Sequence, residues 1–98
     1  MSRRRYVVAY DIRSPDRLRR VHDVVEAHGY MLQYSVYICD LSDVEKIGLK
    51  SQLRDQMNQT VDSVVLIDLG DPDRRGSECF EFIGSRTPLP SVGGATII

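Results

Sequence analysis

Cysteine, histidine and long apolar runs are scarce in this sequence of 98 residues. Its two cysteines, Cys39 and Cys79, lie 40 residues apart with no CxxC pair, which argues against a zinc site and favours free thiols. The longest uninterrupted apolar run, Tyr6 to Tyr10, is too short to cross a bilayer or to form the core of a secretory signal. We therefore expect a cytoplasmic protein without membrane contact.

The composition is that of one small globular domain, with 42% hydrophobic and 28% charged residues. So short a chain buries a modest share of its surface, so dimerisation would be a natural way to bury more. Charge is uneven: residues 1–30 carry seven arginines against four acids, and the remainder carries six basic residues against ten acids. This asymmetry fits an anionic partner on one face, although scattered surface arginines give the same count.

The first 41 residues predict a strand, then a helix, then two further strands. Residues 5–12 are apolar on both alternating faces, which is typical of a strand in the middle of a sheet. Ser14 and Pro15 then supply a helix cap and a first helical residue, and Gly29 is a suitable stop. Residues 30–41 are too long for one strand and predict two short strands in a hairpin.

A second helix and a fourth strand complete the predicted order β-α-β-β-α-β, an α+β, ferredoxin-like arrangement over residues 1–84. Residues 42–45 have the form of a capping box, and residues 63–69 are rich in strand formers. Residues 79–83 predict a fifth, shorter strand. The apolar residues that we expect the second helix to turn towards the core are Val44, Ile47, Leu49, Leu53 and Met57.

The C-terminal tail, residues 85–98, becomes apolar again in residues 95–98. An apolar segment that the chain's own sheet does not require can pair with a dimer mate or with the sheet edge of a partner protein. A tail that folds back on its own core has about equal weight.

Asp11 is the candidate centre of function, because aspartate is a poor strand former and is costly to bury between Tyr10 and Ile12. A carboxylate at the end of a strand faces a site or caps a turn. The spacing favours neither alternative, since Asp11 could equally accept backbone hydrogen bonds from Arg13 or Ser14.

A single carboxylate per chain is few for a magnesium site, but two-fold symmetry could supply a second one from another subunit. Mg²⁺ commonly binds one or two carboxylates together with water and substrate phosphates. If Asp11 from each of two subunits met near the symmetry axis, the pair could hold one hydrated Mg²⁺ that polarises a phosphodiester and activates water.

Arginines precede and follow the strand that carries Asp11, and guanidinium groups fit phosphate oxygens bidentately. For each arginine alone, a solvated surface position is the commoner explanation, but the grouping favours contact with a nucleic-acid backbone. The predicted nucleic-acid contacts are Arg3, Arg4, Arg5, Arg13, Arg17, Arg19 and Arg20.

The order of several short motifs resembles the CRISPR-associated protein 2 family over nearly the whole chain. The motifs are Tyr10-Asp11-Ile12, Arg19-Arg20-Val21, Gly29-Tyr30, residues 33–37 (QYSVY), Phe82-Ile83-Gly84 and residues 87–90 (TPLP). Tyr37 stands where phenylalanine is common in the family, and Cys39-Asp40 where a glutamate is common.

The resemblance implies a homodimer of ferredoxin-like subunits that acts in the acquisition of immunity to foreign DNA beside a CRISPR integrase. Some members are described as metal-dependent endonucleases on single-stranded RNA or double-stranded DNA, and others as scaffolds for captured DNA. The family's metal-binding aspartate corresponds to Asp11. The expected function is thus a Mg²⁺-dependent endonuclease, with a non-catalytic DNA-binding scaffold as the alternative.

Overall fold

Two helices cover one face of a four-stranded antiparallel sheet, in the predicted α+β, ferredoxin-like order. The computed structural model describes residues 2–85 and 88–89. Its elements are β1 (Arg4–Asp11), α1 (Pro15–Glu26), β2 (Tyr30–Gln33), β3 (Val36–Leu41), α2 (Asp43–Gln56), β4 (Ser63–Gly70) and the one-turn α3 (Arg75–Glu78).

The first strand lies inside the sheet, whose strand order is β2-β3-β1-β4. It pairs antiparallel with β3 on one side and with β4 on the other. This position fits the apolar residues of β1, because neighbouring strands on both sides leave Val7 and Ala9 half-buried even on the face that no helix covers. The other side of β4 is the edge of the sheet within the described residues.

The core lies between the helices and one face of the sheet. Alternation along β1 turns Tyr6, Val8 and Tyr10 towards the helices, where the fully buried Val21, Val25 and Leu49 meet them. We call this the helix face of the sheet and the other the open face. The remaining buried members of the core are Tyr37, Cys39, Leu41 and Leu53.

Two of the predicted core positions on α2 are wrong. Val44 and Ile47 are 73% and 68% exposed, whereas Leu49 and Leu53 are buried as expected and Met57 packs against the core. Leu49 and Leu53 are four residues apart and therefore lie on one side of α2. Apolar residues occur on several sides of this helix, so the sequence pattern did not show which side faces the core.

Local signals define the helix starts as predicted. Ser14 caps α1 through a bond from the Arg17 backbone amide, and Ser42 forms a reciprocal capping box with Glu45. Gly29 is required by space, because a Cβ atom there would collide with the carbonyl oxygen of Ile38.

The predicted fifth strand over residues 79–83 is wrong for the described chain. After β4, the polar residues 71–74 turn the backbone and α3 crosses the open face near Arg5, so the following segment has no strand partner there. Phe80 and Phe82 stack on each other with ring centroids 6.0 Å apart. Most of the predicted tail, including residues 90–98, lies outside the described residues.

No helix within the described residues has the length and apolarity needed to traverse a bilayer.

Candidate functional site

Asp11 ends β1 on the open face of the sheet, directly opposite Ser63 of β4. Its side chain is 68% exposed, and Oδ2 lies 3.4 Å from Nη2 of Arg13. No backbone amide of the described residues donates to this carboxylate. The turn-capping alternative is therefore not realised, and Asp11 presents its oxygens to solvent.

Asp62, which the sequence did not single out, organises the loop behind Asp11. Its buried carboxylate accepts hydrogen bonds from the backbone amides of Arg13 and Asn58, both at 2.8 Å. It also receives two bonds from Arg17, from Nε at 2.7 Å and Nη2 at 3.1 Å. Asp62 thus ties the loop after β1, the start of α1 and the end of α2 together.

The Arg17 guanidinium, with smaller contributions from the two backbone amides, holds the pKa of Asp62 well below its ordinary value. The same pairing raises the pKa of Arg17. Arg17 was predicted to bind phosphate, but its side chain is 25% exposed and two of its nitrogens are already bonded to Asp62. Its first role in this fold is to hold the loop.

We expect this loop to make the protein sensitive to acid. Because the folded-state pKa of Asp62 is lowered, its contribution to stability is complete above the unfolded pKa of about 3.9 and is lost as pH falls towards the folded value. Urea unfolding from pH 6 down to pH 2 should show stability falling below about pH 4. Asp62→Asn should be less stable at pH 6 and lose less between pH 4 and 2; parallel pH curves for the two proteins would contradict this role.

The arginines do not form one group around Asp11. Seven residues of extended chain separate Arg4 from Asp11, a distance of about 23 Å, so Arg3, Arg4 and Arg5 lie at the far end of β1. Arg3 is paired with Glu45 at 2.8 Å and Arg4 with Asp68 at 2.9 Å. These three arginines are close to Asp11 in the sequence but not in the folded structure.

Arg5 is a correction to the predicted nucleic-acid contacts. Its side chain is fully buried on the open face, with two bonds to Asp40 of 2.7 and 2.8 Å and a third from Nη1 to the carbonyl oxygen of Gly76. A guanidinium enclosed in this way has no access to a phosphate. Arg5 instead fastens the segment around α3 onto the sheet.

The members of the predicted set that form no ion pair shorter than 3 Å with a described residue lie in the loop after β1 and on α1. Arg13 and Arg19 are more than 60% exposed and make long contacts, to Asp11 at 3.4 Å and to Asp16 at 3.6 Å. Arg20 is exposed and forms no ion pair within the described part of the chain. Contacts of this kind between exposed groups are weak and easily exchanged for others.

The Asp11 carboxylate suits a hard cation such as Mg²⁺, because it is accessible, oxygen-based and positioned at the end of a rigid strand. One chain does not complete such a site: within residues 2–85 and 88–89, no cluster of three or more candidate ligand side chains occurs. Asp40, the acidic residue of β3 that departs from the family pattern, is bonded to Arg5. A second chain, water and substrate could supply further ligands.

The sequence did not predict two contacts, namely the ion pair of Asp62 with Arg17, which holds the loop, and the ion pair of the buried Arg5 with Asp40. In each pair the partners are far apart in sequence, 45 residues for Arg17 and Asp62 and 35 residues for Arg5 and Asp40. The only available signal was an aspartate immediately before a strand in a polar loop, which is typical of a capping residue but does not identify its partner.

Comparison with known proteins finds relatives that are named CRISPR-associated endoribonucleases. A chain from Rhodospirillum rubrum named CRISPR-associated endoribonuclease Cas2 1 is 38% identical over 65 residues, covering 66% of this chain and 64% of that protein. A chain from Geobacter sulfurreducens named CRISPR-associated endoribonuclease Cas2 is 35% identical over 65 residues, covering 66% of this chain and 68% of the relative. The matched region thus spans about two thirds of each relative.

Solved structures show the same fold. A hypothetical protein from Thermus thermophilus superposes with a TM-score of 0.76 at 25% identity, covering 91% of this chain and 99% of that structure. Cas2 from Streptococcus pyogenes gives a TM-score of 0.71 at 26% identity, covering 82% and 99%. The family model described as CRISPR associated protein Cas2 matches residues 4–76, which include all four strands and both long helices. The chain therefore belongs to the CRISPR-associated protein Cas2 family.

Proposed function

We propose that this protein is a Mg²⁺-dependent endonuclease of the CRISPR system that works as a homodimer, with Asp11 of each subunit holding the metal. The observation that carries the proposal is the exposed Asp11 carboxylate at the end of a central strand, to which no backbone amide of residues 2–85 and 88–89 is bonded. Two relatives that are 38% and 35% identical are named CRISPR-associated endoribonucleases.

The open face supports pairing between two copies. Val65 and Ile67 of β4 point to this face and are 49% and 48% exposed, although both are apolar. Asp11 is on the same face, because it lies two residues from Ala9, which is paired with Val65. Two subunits joined through this face about a two-fold axis would bury the apolar pair and bring the two carboxylates towards each other.

The residues of this chain have distinct roles in the proposed reaction. Asp11 contributes a metal ligand, while Arg13 and Arg20 hold phosphate oxygens at the same end of the subunit. Asp62 positions the Arg13 backbone and keeps Arg17 fixed. When bound, Mg²⁺ supplies polarisation of the phosphodiester and a lower pKa for an attacking water.

A non-catalytic scaffold is the second candidate, and the sparse ligand set favours it. Since Asp11 belongs to no cluster of three or more candidate ligands among the described residues, the site can contact nucleic acid through arginines without holding a metal. In this proposal the dimer binds DNA and docks on a CRISPR integrase during spacer acquisition, and the tail, residues 85–98, is the segment that would pair with the dimer mate or the partner.

The test is cleavage by the purified protein of labelled single-stranded RNA and duplex DNA, in Mg²⁺ or in excess EDTA, with the native mass measured in the same buffers. We expect a dimer in both buffers, nucleic-acid binding in both, and cleavage in Mg²⁺ only. Equal cleavage in EDTA would remove the metal from the mechanism. Binding without cleavage in either buffer would establish the scaffold instead.

A further inference from the structure

Apart from Arg20, the described cations that form no ion pair are not those that the sequence grouped around β1. Arg3, Arg4, Arg5 and Arg17 are each bound by a carboxylate of the same chain. The described lysines and arginines that form no ion pair with a described carboxylate are Arg20, Lys46, Lys50, Arg54, Arg74 and Arg75.

Three of these cations form one stripe along α2. Lys46, Lys50 and Arg54 follow each other at intervals of four residues, which places them on one side of a helix over about 12 Å. The Lys46 ammonium lies 4.8 Å from the centroid of the Tyr6 ring, which supports its stem on the core. Such regular placement gives this side of α2 a row of three unpaired positive charges, although the chain as a whole has a net charge of −1.

The stripe borders a groove between α2 and the edge strand β4. The groove contains a cavity of about 190 Å³, smaller than the range of about 300–1,000 Å³ typical of small-molecule sites. Lys50 and Arg54 lie on its rim. The apolar residues of its wall are Leu53, Met57, Val64 and Leu66.

The stripe connects the two ends of the subunit. Near its start, Arg4 is hydrogen-bonded to Asp68 and holds the pKa of that carboxyl below its ordinary value, and Lys46 adds to the shift. Beyond its end, the chain enters the loop in which Asn58 and Asp62 are bonded, and Asp62 holds Arg13 beside Asp11. A polyanion lying on α2 would therefore be led towards the Asp11 end of the molecule.

We infer that the stripe of Lys46, Lys50 and Arg54 is a second nucleic-acid contact surface, which binds the phosphate backbone of a strand whose continuation reaches the Asp11 end. The occupant is a polyanion because three unpaired cations in a row match repeated negative charge, and because a cavity of this size is too small for a nucleotide-sized ligand. The inference rests on the proposed function for its nucleic-acid ligand, but it does not require cleavage.

The experiment measures binding alone, so that a failure of the inference differs from a failure of catalysis. All proteins carry Asp11→Asn and are assayed in EDTA by fluorescence anisotropy with a labelled 20-nucleotide RNA and a labelled 20-base-pair DNA. The test variant is Lys50→Gln with Arg54→Gln. The matched control is Arg74→Gln with Arg75→Gln, which removes the same charge near α3, on the opposite side of the sheet.

We expect the test variant to bind more weakly and with a smaller dependence on salt. Its slope of log Kd against log salt should fall by about 1.4 on RNA or about 1.8 on DNA, which corresponds to two lost phosphate contacts. The control should keep the slope of the parent protein, and Lys50→Arg with Arg54→Lys should keep its affinity. The RNA and DNA arms show which backbone uses the stripe.

Equal weakening in the test and control variants would mean that only net charge matters, and it would overturn the inference. Unchanged binding of both probes by the test variant would also overturn it, and would favour an acidic protein segment as the occupant of the groove.

Discussion

Asp11→Asn is expected to reduce Mg²⁺-dependent cleavage by about 100-fold or more while the dimer and its nucleic-acid binding persist. A neutral amide is a much weaker ligand for Mg²⁺ than a carboxylate, and loss of several kcal/mol of charge stabilisation in the transition state corresponds to a loss of this size. The fold should not suffer, because the Asp11 side chain is 68% exposed and its one ion pair is 3.4 Å long. Initial rates at saturating RNA or DNA provide the measurement.

Asp16→Asn is the matched control for this experiment. Asp16 is also an exposed aspartate, in the first turn of α1, with a long contact to Arg19. Its neutralisation changes the net charge by the same amount but leaves Asp11 in place, so cleavage should stay within a few-fold of the parent rate. Comparable losses in both variants would indicate a general electrostatic effect. A fully active Asp11→Asn protein would contradict the assignment of Asp11 as the metal ligand and would indicate another site.

Arg5→Ala is expected to cost about 3–5 kcal/mol of unfolding free energy, the largest effect of any single substitution on stability that we expect in this protein. The substitution removes a fully buried guanidinium and leaves Asp40, whose side chain is only 20% exposed, without its cation. The carbonyl oxygen of Gly76 loses its donor as well. Urea unfolding at one fixed protein concentration gives the comparison, since dimerisation would make the midpoint depend on concentration.

Arg3→Ala serves as the control for Arg5→Ala, because Arg3 also makes two bonds to one carboxylate but does so at the surface. Its loss should be much smaller, since exposed pairs contribute little. If Arg5→Ala fails to fold, the double variant Arg5→Met with Asp40→Leu should restore folding by replacing the buried pair with apolar contacts. Equal stability losses for Arg3→Ala and Arg5→Ala would refute the buried clamp.

The architecture was predictable because its signals are local. Ser14, Ser42 and Gly29 mark helix ends by their own chemistry, and the doubly apolar β1 indicated a central strand. The wrong predictions concern segments whose surroundings decide the outcome. Residues 79–83 have strand-forming side chains, but α3 takes the backbone across the open face and away from a strand partner.

In the candidate site, too, the local signals could be read from the sequence and the long-range contacts could not. Asp11 was found because a charged residue interrupts an apolar strand, which one sequence can show. Arg5 and Arg17 were misjudged because pairing with carboxylates distant in sequence decides which arginines remain available. Arg5 and Arg17 are bonded within the chain, whereas the half-buried Lys50 and the exposed Arg54, which the sequence did not single out, line a groove without an ion pair to a described residue.

The order of strands across the sheet has a consequence for how the chain folds during synthesis. β1 is synthesised before both of its partner strands, and Val7 pairs with Ile38 of β3 and with Ile67 of β4. Contacts between residues this far apart in sequence slow folding relative to local ones. At a synthesis rate of about 5–20 residues per second, several seconds pass between the synthesis of β1 and that of β4. During that interval its apolar edge is open to strands of other chains, so the nascent protein is exposed to aggregation until β4 has been made.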